Sequence, residues 1–476
     1  MQNKNKDLLK NLGILTVCNF ASKILVFLMV PLYTNVLTTS EYGVYDLVIT
    51  TVSVIFPILS LNIIDAVMRY LMDDNYDKSI VSTTGVALCL ISFFLGGVLL
   101  AVLGNLEIAN GIKGLELFIL AYYISYIANQ YMVQFAKGLD KVFDMGIAGV
   151  LGIFVMIVTN VLFLIVLSFG LKGFFIANIL CQFIPAIFLI IRLKVWKYIV
   201  IKKIHVDLLK EMLAYSIPLI VTVVGWWVNS GSDRYVVTFF CGAASTGILS
   251  VAYKIPSIMN TLQGIFVQAW QISAIKEYGN EDTAVFYGHT FGMVNFLMCL
   301  ACSVLILLTK PIAHMLYAKE FFQAWLFVPF LLVSTVFNSA SGLLGPILSA
   351  QRNSKAMMWS GLIGAVVNIV LNIIFVYLWG VQGATIATAI SSFGIYEIRR
   401  MAVGENILIE HYNIILVTWL ILCIQAACEI YMSSHLFGIL MLIAILILNH
   451  KTLVWLIKSI RQIGFRKKNR IGEKFL

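Results

Sequence analysis

Charged side chains are scarce in this sequence: Asp, Glu, Lys and Arg make up 12% of its 476 residues, against 61% hydrophobic ones. A soluble globule of this length needs a polar surface that such a composition cannot supply, so water is not the solvent of most of the chain. The sequence also lacks a Walker-type Gly-Lys-Ser/Thr loop, a nucleophile elbow and any sizeable polar segment able to fold as a nucleotide-binding domain. No nucleotide is therefore expected as a partner, the chain does not itself hydrolyse ATP, and it reads as a non-enzyme. The six histidines are scattered. The eight cysteines, including the closely spaced Cys299 and Cys302, sit in apolar runs with no second pair nearby. They read as helix-packing groups, and no metal or cofactor is implied. The basic tail from Lys458 to Lys474 follows a membrane span, so it reads as a lipid-facing segment and not as a nucleic-acid site.

What fills the chain is long apolar runs. A helix that spans a bilayer needs about 20 mostly apolar residues. Fourteen such segments start near Leu8, Tyr42, Ile80, Gly114, Phe143, Leu171, Leu208, Thr246, Ala284, Ala324, Ala356, Gly383, Tyr412 and Leu436. Barrel strands would be half as long and would alternate, so the expectation is an all-α polytopic membrane protein. Most of the 33 basic residues fall on the side that carries the N-terminus. Only Lys113, Lys172, Arg234, Lys310 and Lys319 fall on the other, while Lys23 and Lys254 fall inside spans. This bias predicts cytoplasmic termini.

The sequence is internally duplicated. Gly149, Gly152 and Asn160 recur as Gly361, Gly364 and Asn372, and the set Gly170, Gly173, Ile176 and Ala177 recurs as Gly380, Gly383, Ile386 and Ala387. Six spans separate the copies, so both enter the membrane in the same direction: parallel repeats about an axis along the membrane normal, with a cleft between them. The expected organisation is an N-lobe over 1–203, a C-lobe over 204–404, an appended helix pair over 405–462 and a basic cytoplasmic tail over 463–476. Seven of the eight prolines, Pro31, Pro57, Pro185, Pro218, Pro256, Pro329 and Pro346, lie in or beside apolar spans, where each removes a backbone hydrogen bond and permits a kink.

Ionisable groups inside spans are costly and mark pathways. They gather on four predicted helices: Lys23 on the first, Asp46 with Asp65 and Arg69 on the second, Asp233 and Arg234 on the seventh, and Lys254 on the eighth. Asp65 and Arg69, one helical turn apart, read as a structural ion pair. The others read as the lining of a wet cleft, with Asp46 and Asp233 as the carboxylates best placed to carry a coupling ion.

Three stretches carry a family resemblance: Thr38-Thr39-Ser40-Glu41-Tyr42-Gly43-Val44-Tyr45; the run from Tyr215-Ser216-Ile217-Pro218 through Ser232-Asp233-Arg234-Tyr235 to Ala252-Tyr253-Lys254-Ile255-Pro256; and Gly380 to Thr388. Together they resemble Wzx-type polysaccharide flippases of the multidrug/oligosaccharidyl-lipid/polysaccharide (MOP) exporter superfamily. The resemblance implies two six-helix lobes working by alternating access in a bacterial cytoplasmic membrane. It implies a cargo of undecaprenyl-pyrophosphate-linked oligosaccharide for O-antigen, lipopolysaccharide or capsule synthesis. Membrane lipids, a polysaccharide polymerase and a chain-length regulator are the implied partners. On that reading Lys23, Arg234 and Lys254 hold the pyrophosphate. A drug or cation antiporter, or a lipid II flippase, of the same superfamily is the alternative; a membrane polymerase, which needs large outer loops, fits less well.

Overall fold

The computed structural model describes residues 25–104, 113–200, 205–409, 411–432 and 435–454. Among them every regular element is helical, as the composition requires. Sixteen α-helices are used below: α1 Val30–Val36, α2 Thr39–Leu59, α3 Ile63–Leu71, α4 Lys78–Gly104, α5 Glu116–Gly138, α6 Val142–Asn160, α7 Gly170–Arg192, α8 Val206–Ala252, α9 Lys254–Glu277, α10 Thr283–Leu307, α11 Thr309–Leu316, α12 Val328–Ala350, α13 Ser354–Trp379, α14 Val381–Val403, α15 Tyr412–Tyr431 and α16 His435–Leu448.

Nine helices among the described residues are long and apolar enough to cross a membrane. The chain is a multi-pass membrane protein. Helices α5, α9 and α14, with 23, 24 and 23 residues, stand at the fourth, eighth and twelfth predicted spans but are less apolar and fall outside those nine. In α5 these polar groups turn inward. Asn129 donates to Gln182 of α7, and Gln134 donates to Asp65 of α3 over 2.7 Å. Polar groups paired within the bundle are what a hydrocarbon solvent demands. The full count of fourteen spans stays a proposal.

Packing divides the chain into two compact units, Met1–Val251 with Leu316–Phe321, and Ala252–Met315 with Phe322–Leu476. In the first unit α7 packs on α5 and α6, and α3 packs on α4 and α5. Its core holds an aromatic cluster in which Phe174 lies 4.6 Å from Tyr33 and 4.1 Å from Tyr45, between ring centroids. The loop after α3 is tied to the start of α8 by Tyr76, whose hydroxyl donates to Glu211 over 2.5 Å. That bond pushes the Tyr76 phenol up to about 12, because ionisation would set two anions side by side. In the second unit α12 is the hub: it is buried almost throughout and packs against α9, α10, α14 and α15. A helix apolar on every side belongs at the centre of a bundle. The N-lobe over 1–203 and C-lobe over 204–404, drawn from the duplication, stay a proposal.

The repeated residues have the same job in each copy. Gly170 and Gly380 take positive φ, 54° and 59°, and turn the chain between α6 and α7 and between α13 and α14. One turn later Gly173 and Gly383 tuck against the carbonyl ends of the preceding helical segments. A Cβ on Gly173 would lie 3.0 Å from Phe163 O, and one on Gly383 would lie 2.0 Å from Phe375 O. Asn160 and Asn372 are fully buried, and each donates its amide to the carbonyl one turn back, Met156 and Asn368, over 2.7 and 2.9 Å. The repeat is thus a helical hairpin whose glycines permit close approach and whose asparagine amide donates locally.

Prolines and glycine set the breaks. Pro57 precedes the interruption at Ser60–Asn62, where Leu61 and Asn62 take φ of 50°. Helix α8 turns back at Gly242 (φ 84°), and the hydroxyls of Thr238 and Thr246 bond across the turn at 2.6 Å. Pro256 has no N–H for the carbonyl four residues earlier, which accounts for the interruption at Tyr253 between α8 and α9.

A candidate charged site on the second and seventh predicted spans

The site is assembled by α2 and the two arms of α8. Thr38 starts α2 with a capping box: its hydroxyl accepts from the Glu41 backbone over 3.2 Å, and Glu41 accepts the Thr38 N–H over 2.8 Å. From that start Gly43 reaches the second arm of α8 at Ala243 and Gly247. Neither glycine has room for a side chain there. A Cβ on Gly43 would lie 1.9 Å from Ala243 O, and one on Gly247 would lie 2.0 Å from Thr39 O. Thr39, Gly43, Ala243 and Gly247 form a small-residue crossing of the kind that lets two helix backbones touch in a membrane.

That crossing places charge. Asp46, one turn beyond Gly43, accepts from Arg234 Nε at 2.5 Å and from Ser250 Oγ at 2.6 Å, so both arms of α8 meet it. Arg234 also donates Nη1 to Ser230 O at 2.7 Å and faces Asp233 at 3.4 Å. The side chains of Arg234, Asp46 and Asp233 are 14%, 16% and 4% exposed. Farther along, Trp227 Nε1 donates to Thr50 O over 2.8 Å, and Tyr235 bonds Thr51. A guanidinium held between carboxylates in reduced dielectric is a strong, oriented charge that can exchange one carboxylate for another anion.

Three of the five site residues read from the sequence, Asp46, Asp233 and Arg234, therefore form one cluster. Lys254 opens α9 and is half-buried, with its carbonyl accepting from Ser257 Oγ at 2.6 Å. Lys23 lies outside the described residues. The expected Asp65–Arg69 ion pair is not formed. Because α3 restarts after the break at Asn62, Asp65 stands in its first turn and accepts from Asn62 Nδ2 and Gln134 Nε2, over 2.9 and 2.7 Å. Arg69 is turned outward, 3.8 Å from Asp73.

Three functional candidates escaped the sequence reading. Ser250 is neutral and sits in an apolar run, so nothing marked it. Arg399 was counted only among the basic residues of the inner side, but it is 7% exposed on α14 and donates to Ser360 Oγ and Ser341 O, both over 3.1 Å. Glu429 is 1% exposed on α15; its only signal was a carboxylate inside a predicted span.

The chain is thus an all-α, multi-pass membrane bundle with a charged cluster inside it. The chain belongs to the polysaccharide biosynthesis protein family, which it matches over residues 8–271, more than half its length. Comparison with curated proteins finds no match. Solved structures share the fold. An inward-facing multidrug resistance MATE family transporter of the MOP superfamily superimposes with a TM-score of 0.64 at 17% identity, covering 82% of this chain and 95% of that one. The lipid II flippase MurJ, inward closed, superimposes with a TM-score of 0.62 at 17% identity, covering 92% and 99%. A MOP superfamily transporter from Pyrococcus furiosus, described as having a binding pocket of reversed polarity, gives a TM-score of 0.53 at 16% identity, covering 83% and 93%.

Proposed function

We propose that the protein is a flippase that carries an undecaprenyl-pyrophosphate-linked oligosaccharide repeat unit from the inner to the outer leaflet of a bacterial cytoplasmic membrane, by alternating access and with both termini cytoplasmic. The observation that carries this reading is the family membership, joined to a MOP-type fold. The charge chemistry agrees with it. A pyrophosphate needs cations in a site of low dielectric, and Arg234 is such a cation, held in place by Asp46 and Asp233. Lys23 and Lys254 would complete the head-group site; compact ammonium charges release an anion more readily than a bidentate guanidinium does. Asp46 and Asp233 would carry the coupling ion when the head group displaces them from Arg234. A polysaccharide polymerase and a chain-length regulator would receive the cargo.

A second reading has an observation behind it: two carboxylates on one guanidinium leave the cluster net negative, which suits a cationic substrate of a MATE-like antiporter. One experiment separates the readings. A strain deleted for the protein should accumulate lipid-linked repeat units on the inner leaflet, and proteoliposomes should move a fluorescent polyprenyl-pyrophosphate sugar between leaflets. Transport of a lipophilic cationic dye without movement of the sugar lipid would favour the antiporter. Rescue of a strain depleted of its lipid II flippase would reassign the cargo.

A further inference from the structure

Glu429 lies near the end of α15, packed among α10, α12 and α16. Its side chain is buried, and neither Oε1 nor Oε2 has a hydrogen-bond partner among the described residues. Gln425, one turn earlier, shows what the same interior asks of a polar group. It donates to Ser303 O at 3.1 Å and Gly438 O at 3.3 Å, and it accepts from Ser303 Oγ at 2.8 Å. Gly438 closes the wall of α16 on α10, since a Cβ there would lie 2.3 Å from Leu307 Cδ2. Glu429 is thus sealed among well-packed neighbours with its carboxyl unmatched.

Two basic side chains lie close enough to act on it electrostatically, Lys310 of α11 and His435 at the start of α16. Neither forms an ion pair with it among the described residues, and the Lys310 ammonium instead sits 4.2 Å from the Trp325 ring centroid. Of the helices packed on α15, α12 carries no titratable side chain and α10 carries Tyr287, His289, Cys299 and Cys302. On α15 itself Cys423, Cys428 and Tyr431 are the nearest titratable groups. An ionised carboxylate buried without a partner is destabilising by several kcal/mol, and binding a proton removes that penalty.

We propose that Glu429 is a proton-binding site: its carboxyl is held as the neutral acid while the end of α15 is packed against α10 and α16, and it gives up the proton when α16 moves away. In that step the carboxyl O–H bond breaks and an N–H bond forms on the exposed His435 imidazole. The products are a carboxylate and an imidazolium, and the imidazolium passes its proton to water. With the proton passed to water, the carboxylate faces the Lys310 ammonium, which holds the opened state. The site is separate from Asp46 and Asp233, which are engaged with Arg234, and it does not depend on the nature of the cargo.

The test uses the full-length protein in lipid nanodiscs, followed by pH-difference infrared spectroscopy and by counting protons released on alkalinisation. Wild type should show a protonated-carboxyl C=O band at neutral pH. Glu429→Gln, which has the shape of the neutral acid and should fold equally well, should lose that band and release one proton fewer per chain. Glu429→Asp should shift the band, and Lys310→Met should leave it in place. Equal proton release from wild type and Glu429→Gln would overturn the proposal. So would a wild type with no band that gains one in Lys310→Met, because Glu429 would then be ionised and paired with that lysine.

Discussion

Replacing Gly43 or Gly247 with alanine adds one methyl group at a point where two helix backbones already touch. The added carbon would start 1.9 Å from Ala243 O in the first case and 2.0 Å from Thr39 O in the second. Carbon–oxygen contacts of this kind settle near 3.3 Å or beyond, so the helices must part by about 1.4 Å. Overpacking of well-fitted interiors is destabilising by about 1–3 kcal/mol, and here both obstructing atoms are backbone carbonyls that no rotamer change can move aside. The upper end of that range is expected, a shift of about a hundredfold in the folding equilibrium. The double mutant should fall short of the sum, since one separation relieves both clashes. Function should suffer with stability. Asp46 stands one turn from Gly43 and Ser250 one turn from Gly247, so parting the crossing stretches the 2.6 Å bond between them. Thermal unfolding of detergent-purified variants, read by size-exclusion fluorescence, measures the first effect, and complementation of a deletion strain measures the second. Gly146→Ala, Gly149→Ala and Gly225→Ala are the controls, because a Cβ at those positions meets nothing within 4 Å. They should be neutral or stabilising by about 0.4–1 kcal/mol. If Gly43→Ala and Gly247→Ala match these controls in both assays, the close crossing is not a property of the native protein.

The architecture was legible because it rests on local patterns. Apolar runs mark helices wherever the bilayer is the solvent, and the duplicated glycines and asparagine marked a hairpin whose requirements are met within a few turns. Rare charges were legible for the same reason: Asp46, Asp233 and Arg234 stand out in apolar sequence, and the structure joins all three. What sequence could not give is who faces whom. Arg234 and Asp46 are 188 positions apart, and their pairing depends on the Gly43–Gly247 crossing. The spacing of Asp65 and Arg69 suggested a local pair, yet the break at Leu61–Asn62 rotates Asp65 toward Gln134, 69 residues away. Glu429 is a single carboxylate inside a predicted span, and its burial, set by α10 and α16, is what makes it chemically unusual.

Further expectations concern topology, cargo and the charged cluster. Lys319 and Lys355 are both exposed, and the charge bias sets them on opposite faces, so Lys319→Cys should react with an impermeant maleimide in intact cells while Lys355→Cys is protected; the reverse pattern would invert the topology. Lys23→Ala and Lys254→Ala should abolish complementation at normal membrane levels, with partial activity in the Lys→Arg variants, and full function in the double alanine mutant would remove both lysines from the cargo site. The pair Asp46–Arg234 gives the most discriminating result. Asp46→Asn leaves a poorly exposed guanidinium with less compensating charge, and Arg234→Gln leaves Asp46 with Ser250 as its remaining bond among those described above. Breaking a buried pair from one side is destabilising by about 3–5 kcal/mol, and the residual exposure of both side chains should bring the effect below that. The double mutant should recover much of the stability, since neither charge is then stranded. If the pair only holds α2 against α8, transport should return with stability. If Arg234 binds the head group, the double mutant should be stable and inactive, and it should fail to bind a polyprenyl-pyrophosphate probe that wild type binds. A stable double mutant with full transport would show that the cargo's charge is held elsewhere.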